Sequence, residues 1–333
     1  MREARTCRRR TSPSLPLLLA TLACACSTNP VSVHEIGAKE AFADLGRTAV
    51  GGGRLSLSSE NLLRALGEDR LLRATPAEVL RTLLPHPSPE PAKSLLLAEL
   101  LCRRAQGASD RDAAASFLEA ALVSLRALLR AWPVDPAFDP RFALLRDLHN
   151  YALAEFFVRT RRACGPPARW TSLESLTRRY EVERRGPEEE EWEPAFFDDL
   201  LPSVRFEIRG FRARHVRPGL GVPLIGIREG SPSRREPYYP PEGRLYPATF
   251  LLLPGSREGT LAIVLSNPWR AATREVGGRT VPVAVDLTAP YAYLIARSRL
   301  HSLKNTAFFD PDAARWHQGL FLLEPYDREK IPV

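Results

Sequence analysis

The sequence is poor in lysine and methionine, and it has no long apolar run after its first 30 residues. Four of the 47 basic residues are lysines, so arginine carries almost all of the positive charge. A helix that spans a bilayer needs about 20 consecutive apolar residues. The missing apolar runs therefore argue against membrane-spanning helices in the body of the chain.

Clustered positive charge is also missing, although the net charge is +8. Residues 1–25 hold five arginines and one glutamate, which accounts for +4 and leaves +4 for the rest of the chain. Those remaining arginines are scattered among acidic residues, whereas a nucleic-acid binder gathers basic and aromatic residues on one face. The sequence thus predicts a solvated surface of mixed charge and no nucleic-acid partner.

Motifs that carry catalysis are missing as well. The chain contains no G-x-S-x-G elbow, no Walker loop, no H-E-x-x-H and no dinucleotide fingerprint. Asp286, His301 and Ser302 can be written as a triad, but nothing places Ser302 on the sharp turn that a nucleophile needs. The glycine-rich stretch 218–223 indicates a tight turn with close backbone packing. We therefore assign no catalytic, cofactor-binding or metal-binding residue and expect no cofactor.

The first 25 residues have the pattern of an export signal. Three arginines at 8–10 precede the apolar core Leu15–Leu22, and small residues follow. Cys26 then stands where a bacterial lipoprotein carries its lipid anchor, with Cys24 as the alternative. Ala23-Cys24-Ala25 also fits the A-x-A site of ordinary signal peptidase, which would release a soluble periplasmic protein.

Acylation of Cys26 would make membrane lipid the first partner of the chain, because acyl chains on one cysteine anchor a protein firmly. Ser27 behind that cysteine favours the outer membrane under the usual sorting pattern. Cys102 and Cys164 would then be the cysteines left in the mature chain. An oxidising periplasm permits a disulfide between them, and two buried free thiols are the alternative.

Apolar periodicity divides the rest of the chain. Residues 26–57 are predicted to be a tether with a short helix near Glu35–Leu45. From 58 to 165 apolar residues recur at helical spacing, and Thr75-Pro76-Ala77-Glu78 has the pattern of a capping box. These helices indicate a bundle with a weak likeness to tetratricopeptide repeats, since no fixed repeat length is present.

The second half has a different pattern. Residues 166–200 are predicted to be a linker, in which Glu188–Glu191 form a solvated loop rather than a metal site. After residue 200 apolar and polar residues alternate, as at 204–208 and 281–285, and Thr288 begins a helical segment. Residues 201–333 are therefore predicted to form a mixed, β-rich accessory domain, and the whole chain an α+β protein.

Four stretches resemble a family of bacterial lipoprotein α/β-hydrolases of esterase or lipase type. They read RPGLGVPL at 217–224, YPAT at 246–249, VDLTAPYAY at 285–293, and GLFLLEPYD at 319–327 with KIPV at 330–333. The last stretch is the most specific. The helical region and the export signal fit the same family more loosely.

The resemblance implies a serine hydrolase whose catalytic residues lie beyond this chain. In that family the segment like 330–333 enters a core strand, and the His-Gly oxyanion loop and the G-x-S-x-G elbow come after it. No catalytic residue can be carried over, since no matching position is present before Val333. The resemblance thus predicts an inactive accessory portion that leads into a truncated α/β-hydrolase core, with a missing or separately encoded hydrolase domain as its partner.

Overall fold

The structure is a computed structural model that describes residues 31–37, 55–86, 92–131, 140–183, 188–211, 213–229 and 244–297. Within these ranges the chain forms an α+β fold. A layer of helices covers one face of a seven-stranded mixed sheet, and a later helix covers the other. No helix in the ranges just given is both long and apolar enough to cross a membrane.

The helical layer contains α1 (Leu57–Leu66), α2 (Pro76–Leu83), α3 (Ala92–Ala105), α4 (Asp110–Ala131) and α5 (Pro140–Cys164). Helix α4 packs along both α3 and α5. Its apolar stripe, which includes Phe117, Ala121 and Leu125, is buried in the core. The helical structure predicted from apolar spacing between residues 58 and 165 is thus confirmed.

Local capping explains where two of the short helices begin and end. Thr75 Oγ1 accepts a hydrogen bond from Glu78 N at 3.3 Å, and Glu78 Oε2 accepts one from Thr75 N at 2.7 Å, which confirms the capping box. Ser56 caps α1, and Gly67 ends it with φ of +64°, a left-handed conformation that favours glycine.

Thirteen strands occur within the described ranges: β1 (Ser32–Glu35), β2 (Ser172–Glu174), β3 (Arg179–Glu183), β4 (Glu191–Trp192), β5 (Asp199–Pro202), β6 (Phe206–Arg209), β7 (Val216–Arg217), β8 (Val222–Arg228), β9 (Arg244–Pro254), β10 (Thr260–Ser266), β11 (Thr273–Val276), β12 (Arg279–Pro282) and β13 (Val285–Asp286). The main sheet has the order β2-β3-β10-β9-β8-β5, and β4 also pairs with β10. The β3–β10 pair is parallel, and the other pairs of this sheet are antiparallel. Smaller two-stranded pairs are β1–β6, β11–β12 and β7–β13.

Apolar side chains on both faces of the sheet explain the layered arrangement. On β8, Leu224 belongs to the core that the sheet shares with the helices. Ile225 and Ile227 belong to a second core beneath α6 (Thr288–Arg297) and the β1–β6 pair. Phe157 of α5 contacts Phe250 of β9 at a ring-centroid distance of 4.9 Å, so the helical layer and the sheet share one continuous core.

Two predicted segments differ from the structure. The predicted linker, residues 166–200, supplies β2, β3, β4 and part of β5 to the sheet, because Leu173, Tyr180 and Leu200 bury their side chains in the core. Each of these strands has two to five residues, too few for a clear periodic signal.

The predicted tether, residues 26–57, also holds structure. It contains β1, which pairs antiparallel with β6 and places Val33 against the second core. Glu35, where a short helix was predicted to begin, is paired with Phe206 in this ladder. Residues 38–45 of that predicted helix lie outside the described residues.

Candidate functional site

Three of the four stretches that resemble the hydrolase family meet at one place in the fold. Val285 pairs with Arg217, and Leu224 of β8 lies opposite Ala248 of β9. Thr249 Oγ1, which is buried, donates a hydrogen bond of 2.6 Å to the carbonyl oxygen of Ala284. Segments 217–224, 246–249 and 285–293 therefore form one junction, which we call the glycine junction after its glycines Gly219 and Gly221. The fourth stretch, 319–333, lies outside the described residues.

Close backbone approach explains the two glycines. A Cβ atom on Gly219 would lie 2.4 Å from the carbonyl carbon of Val283, and one on Gly221 would lie 2.6 Å from Leu251 Cδ2. Gly221 also has φ of +104°, which an L side chain rarely adopts. The predicted close backbone packing is thus confirmed, whereas Leu220 forms a bridge to Val283 in place of a tight turn.

One side chain of the helical layer holds the glycine junction against α5. Asn150 Nδ2 donates to the Gly219 carbonyl at 2.8 Å, and Gly221 N donates to Asn150 Oδ1 at 2.8 Å. A side-chain amide offers both a donor and an acceptor, so a single residue satisfies the two backbone groups on either side of Leu220. No local pattern in the sequence predicts this role for Asn150.

Asp286, at the end of β13, caps the start of helix α6. Its Oδ1 accepts hydrogen bonds from Thr288 N at 3.0 Å and Ala289 N at 2.9 Å, which is the role of an N-terminal capping residue. Arg214 Nη2 lies 3.9 Å from the other oxygen. His301 and Ser302, the other members of the triad written from the sequence, lie outside the described residues.

The two cysteines named as a disulfide pair are both free. Cys102 is buried in α3, and burial raises the pKa of its thiol above the ordinary range, with the charges of Glu99 and Glu155 adding to this shift. Cys164 ends α5 and is exposed. The structure therefore contradicts the disulfide. The alternative of two buried free thiols is correct for Cys102 and wrong for Cys164, which is exposed. Cys24 and Cys26 lie outside the described residues.

The helical layer contains several buried charged or titratable side chains. The Glu155 carboxylate, 1% exposed, accepts hydrogen bonds from Arg159 Nη1 and from Arg205 Nη2, the latter at 2.5 Å. Glu119 Oε2 accepts from Ser175 and Thr177 at 2.7 Å each. These contacts satisfy both carboxylates within the fold.

Two further titratable groups in this layer have shifted pKa values. Burial raises the pKa of Glu99, whose carboxylate accepts hydrogen bonds from Ser56 N at 3.1 and 3.3 Å. Burial lowers the pKa of His149 to about 4, although its Nδ1 lies 2.9 Å from the Ala121 carbonyl. Both groups link one element of the fold to another.

A cavity of about 780 Å³ opens between the end of the β9–β10 hairpin and the β11–β12 hairpin. We call it the Arg274 cavity, because Arg274 is its buried cation, with 8% of the residue exposed. Its polar lining comes from Glu183, Glu188, Glu190, Ser256, Thr273, Arg274, Glu275 and Thr280. The apolar lining comes from Leu253, Pro254, Ala262 and Val276.

Two glutamates hold Arg274 in place. Arg274 Nη2 contacts Glu188 at 3.0 Å and also Glu191, whose side chain is 4% exposed. The prediction that 188–191 form a solvated loop is therefore wrong for Glu191, which lies on β4 with its carboxylate turned to a buried arginine. Within the described residues no group of three or more histidine, cysteine, aspartate or glutamate side chains is placed to hold a metal ion.

The rim of the Arg274 cavity contains a carboxylate that stays ionised. Glu183 Oε2 accepts hydrogen bonds from Ser256 N at 2.6 Å and Thr260 Oγ1 at 3.3 Å. The backbone hydrogen bond from Ser256 is the main cause that holds the pKa of Glu183 below its usual range.

A cluster of aromatic side chains lies on another part of the sheet. Trp192, Phe196, Tyr246 and Trp269 contact one another with ring centroids 5.2–6.2 Å apart. Arg228 stacks over the Phe196 ring at 4.2 Å. Trp269 is 38% exposed, so this aromatic cluster reaches the surface.

Comparisons with known proteins assign no family to this arrangement. No family model, no curated protein and no solved structure matches the chain.

The close packing at the two glycines was predicted from the sequence, whereas the meeting of the three stretches and the Arg274 cavity were not. The two glycines lie within one short stretch of the sequence, so a reader can recognise the pattern without a structure. The cavity is built from five separated segments, and Arg274 meets Glu191 across 83 residues. No local pattern marks such a site.

Proposed function

We propose that this chain is the membrane-anchored, non-catalytic accessory portion of a serine hydrolase that acts on ester or lipid substrates in the bacterial envelope. The glycine junction is the observation that carries the proposal. Three stretches that resemble lipoprotein hydrolases lie 22 to 36 residues apart in the sequence, and they contact one another through the β7–β13 pair, the β8–β9 pair and the hydrogen bond from Thr249 to Ala284.

The accessory role follows from the chemistry at that junction. Its carboxylate, Asp286, is used to cap α6, and its glycines serve backbone packing. The complete enzyme would use a serine nucleophile, a histidine base and a carboxylate in a separate hydrolase domain. In this proposal α6 leads towards that α/β-hydrolase core, and the helical layer, weakly like tetratricopeptide repeats, supports it from the other side of the sheet.

The gene itself provides the first test. We expect the reading frame around and beyond the codon for Val333 to encode, in some frame, a His-Gly loop followed by a G-x-S-x-G elbow. The longer product should hydrolyse p-nitrophenyl butyrate, and a serine-reactive phosphonate should block it. The 333-residue chain purified alone should be inactive. Phosphonate-sensitive hydrolysis by that chain, or a stop codon with no hydrolase nearby, would overturn the proposal.

The anchor is tested separately from the hydrolase. We propose that Cys26 carries the lipid and that the mature protein is bound to the outer membrane. Labelling with radioactive palmitate should be lost in Cys26→Ala and kept in Cys24→Ala, since these neighbouring residues form a matched pair. The reverse result would assign the anchor to Cys24. Absence of label from the unmutated protein as well as from both variants would favour a soluble periplasmic protein.

A non-enzymatic interaction lipoprotein is the second candidate, and the exposed edge of the aromatic cluster favours it. Tryptophan and tyrosine are enriched where proteins bind partners, and Trp269 is 38% exposed beside Trp192 and Tyr246. In this case Trp269→Ala should abolish recovery of an envelope partner by crosslinking, while an exposed residue far from the cluster, such as Leu57→Ala, should not. The same partner recovered with both variants would speak against this role.

A further inference from the structure

We propose that an exposed basic segment, close to the anchored end of the chain, lies against anionic lipid headgroups of the membrane. The segment is residues 213–218, which we call the basic strap, and every residue in it is exposed. This inference rests on the proposed lipid anchor at Cys26 and names the face that the anchor turns towards the bilayer. The reach of the tether, the place of the strap beside β1 and the charge of the strap support it.

Chain length limits how far the fold can lie from the anchor. Five residues separate Cys26 from Ser32, the first residue of β1. An extended chain spans at most about 3.6 Å per residue, so the start of β1 lies within about 22 Å of the acylated cysteine. A compact chain of about 300 residues is about 50 Å across. The anchor therefore holds the β1 side of the molecule near the bilayer and leaves the helical layer on the far side.

The basic strap follows from the same end of β1. Ser32 pairs with Arg209 in the β1–β6 ladder, and Arg209 is the last residue of β6. The strap begins four residues later, after Phe211, which packs against the second core. The strap thus lies close to the point where the chain arrives from the anchor. Lipid headgroups within reach of the anchor are therefore within reach of the strap.

Backbone contacts fix the position of the basic strap while its side chains stay exposed. The His215 carbonyl accepts a hydrogen bond from Leu287 N at 2.9 Å, and His215 N donates to Thr288 Oγ1 at 2.7 Å. Val216 and Arg217 pair with β13. A surface that is already ordered loses little conformational entropy when it binds.

The exposed charge of the strap is positive. Arg217 makes no ion pair with another residue that the structure describes. Arg214 Nη2 lies 3.9 Å from Asp286, whose side chain is 6% exposed and caps α6. Glu207 is the nearest acid along the chain, and it is paired with Arg209 at 2.9 Å. Basic residues close to a lipid anchor are attracted to anionic lipids, and the guanidinium group matches the geometry of a phosphate.

The mixed character of the strap suits the surface of a bilayer. Val216 is 51% exposed and stands between Arg214 and Arg217. Arginine side chains can contact headgroup phosphates while an apolar side chain reaches the boundary of the acyl chains. The tether limits distance but leaves the protein free to rotate. Contact at the strap would fix which face points to the membrane.

Vesicle sedimentation tests the strap without acyl chains. The unacylated chain of residues 27–333 keeps every residue that the structure describes. We expect it to bind vesicles of phosphatidylethanolamine and phosphatidylglycerol at least about tenfold more tightly than vesicles of phosphatidylcholine, and Arg214→Gln with Arg217→Gln should remove about tenfold of that affinity. Equal binding to both kinds of vesicle would overturn the proposal. Loss of palmitate label, in contrast, tests the anchor at Cys26 and not the strap.

A matched pair of arginines separates local charge from overall charge. Arg70→Gln with Arg111→Gln removes the same two charges from the helical layer, where these side chains are 77% and 85% exposed. This control should bind anionic vesicles as tightly as the unmodified chain. Equal loss of affinity in the two double variants would mean that net charge alone drives binding, which would overturn the proposal. Thermal unfolding shows whether each variant is folded.

A fluorescent label locates the contact even if the arginine variants do not fold. Cys164→Ser leaves the buried Cys102 as the native thiol of residues 27–333, so a new cysteine can be labelled with nitrobenzoxadiazole. The label is placed at Val216→Cys or, as the control, at Leu57→Cys, which is 76% exposed in the helical layer. Anionic vesicles should brighten the label at 216 and shift its emission to the blue, and should leave the label at 57 unchanged. No shift at 216, or the same shift at both positions, would contradict the proposal.

Discussion

Two buried charge clusters with opposite composition occur in the two halves of the molecule. In the helical layer one carboxylate, Glu155, holds two arginines, Arg159 and Arg205. At the sheet one guanidinium, Arg274, holds two carboxylates, Glu188 and Glu191. The first cluster is packed between α5 and the turn before β6, and the second forms a wall of a cavity.

The two clusters differ in how far water reaches them. The Glu155 side chain is 1% exposed, and the side chains of Arg159 and Arg205 are each 19% exposed. The Glu188 side chain is 58% exposed, and Arg274 lies at the wall of a cavity whose lining includes further acidic and hydroxyl groups. The helical cluster should therefore matter more for stability.

The largest effect is expected from Glu155→Ala. This change leaves Arg159 and Arg205 without the carboxylate that both contact, and removing one partner from a buried ion pair costs about 3–5 kcal/mol. Urea unfolding followed by circular dichroism measures the loss. The double variant Glu155→Ala with Arg205→Met should recover part of it, since one unpaired charge is then gone. A loss below about 1 kcal/mol would mean that the helical cluster is not structural.

A second large effect should appear on acidification, through His149. Burial lowers its pKa to about 4, so the folded chain resists protonation that the unfolded chain accepts near pH 6.5. The stabilisation is complete above pH 6.5 and is lost as the pH falls through 4. The loss amounts to roughly 3 kcal/mol. Urea unfolding between pH 7 and 4 measures it, and His149→Gln should remove this part of the slope.

Glu99 provides the control for that experiment, because its pKa is shifted the other way. Burial raises the pKa of Glu99, so its contribution to stability is present below its ordinary value of 4.5 and is lost as the pH rises through the raised value. Glu99→Gln should therefore steepen the loss of stability on acidification. A slope that neither variant changes would exclude both buried groups as its cause.

A smaller effect should follow from Gly219→Ala at the glycine junction. The added methyl group would lie 2.4 Å from Val283 C and 2.5 Å from Ala284 N, which are backbone atoms with little room to move. We expect a loss of about 2 kcal/mol, typical of overpacking. Gly107→Ala is the matched control, since nothing lies within 4 Å of its Cβ position, and should change stability by less than about 0.5 kcal/mol. Equal stability of the two variants would mean that the junction relaxes freely.

The smallest effect on stability is expected from Glu188→Gln. This variant tests whether the ion pair at the sheet stabilises the fold less than the one in the helical layer. The Glu188 side chain is 58% exposed, so its ion pair with Arg274 is screened by water. The loss of stability should stay below about 1 kcal/mol. Differential scanning fluorimetry is sensitive enough to compare it with Glu155→Ala. A loss as large as that of Glu155→Ala would remove the distinction between the clusters.

The helices could be predicted from the sequence because their signals are local. A stripe such as Phe117, Ala121 and Leu125 repeats within two turns, and Thr75 and Glu78 cap a helix across three residues. The glycine junction could be predicted in part for the same reason. Two glycines separated by one residue indicate close packing, although the partner segment at 283–284 cannot be identified from them.

The rest of the fold depends on contacts between distant residues. Strand β1 pairs with β6 across more than 170 residues, and β4 is a strand because Trp192 lies opposite Leu265 on β10. A segment of two to five residues forms a strand because of such partners, since its own β-propensity favours the strand only weakly. The Arg274 cavity could not be predicted for the same reason, because it arises where two hairpins and the strand β3 meet.

The contact made by Asn150 has a consequence for how the molecule unfolds. Its side-chain amide hydrogen-bonds the carbonyl of Gly219 and the N–H of Gly221, as a neighbouring strand would. These glycines lie 69 and 71 residues further along the chain. The last long helix of the bundle therefore cannot separate from the sheet without exposing two buried backbone groups. Such coupling joins regions into one cooperative unit. The Gly221 amide should then exchange its hydrogen with solvent only when the whole molecule opens.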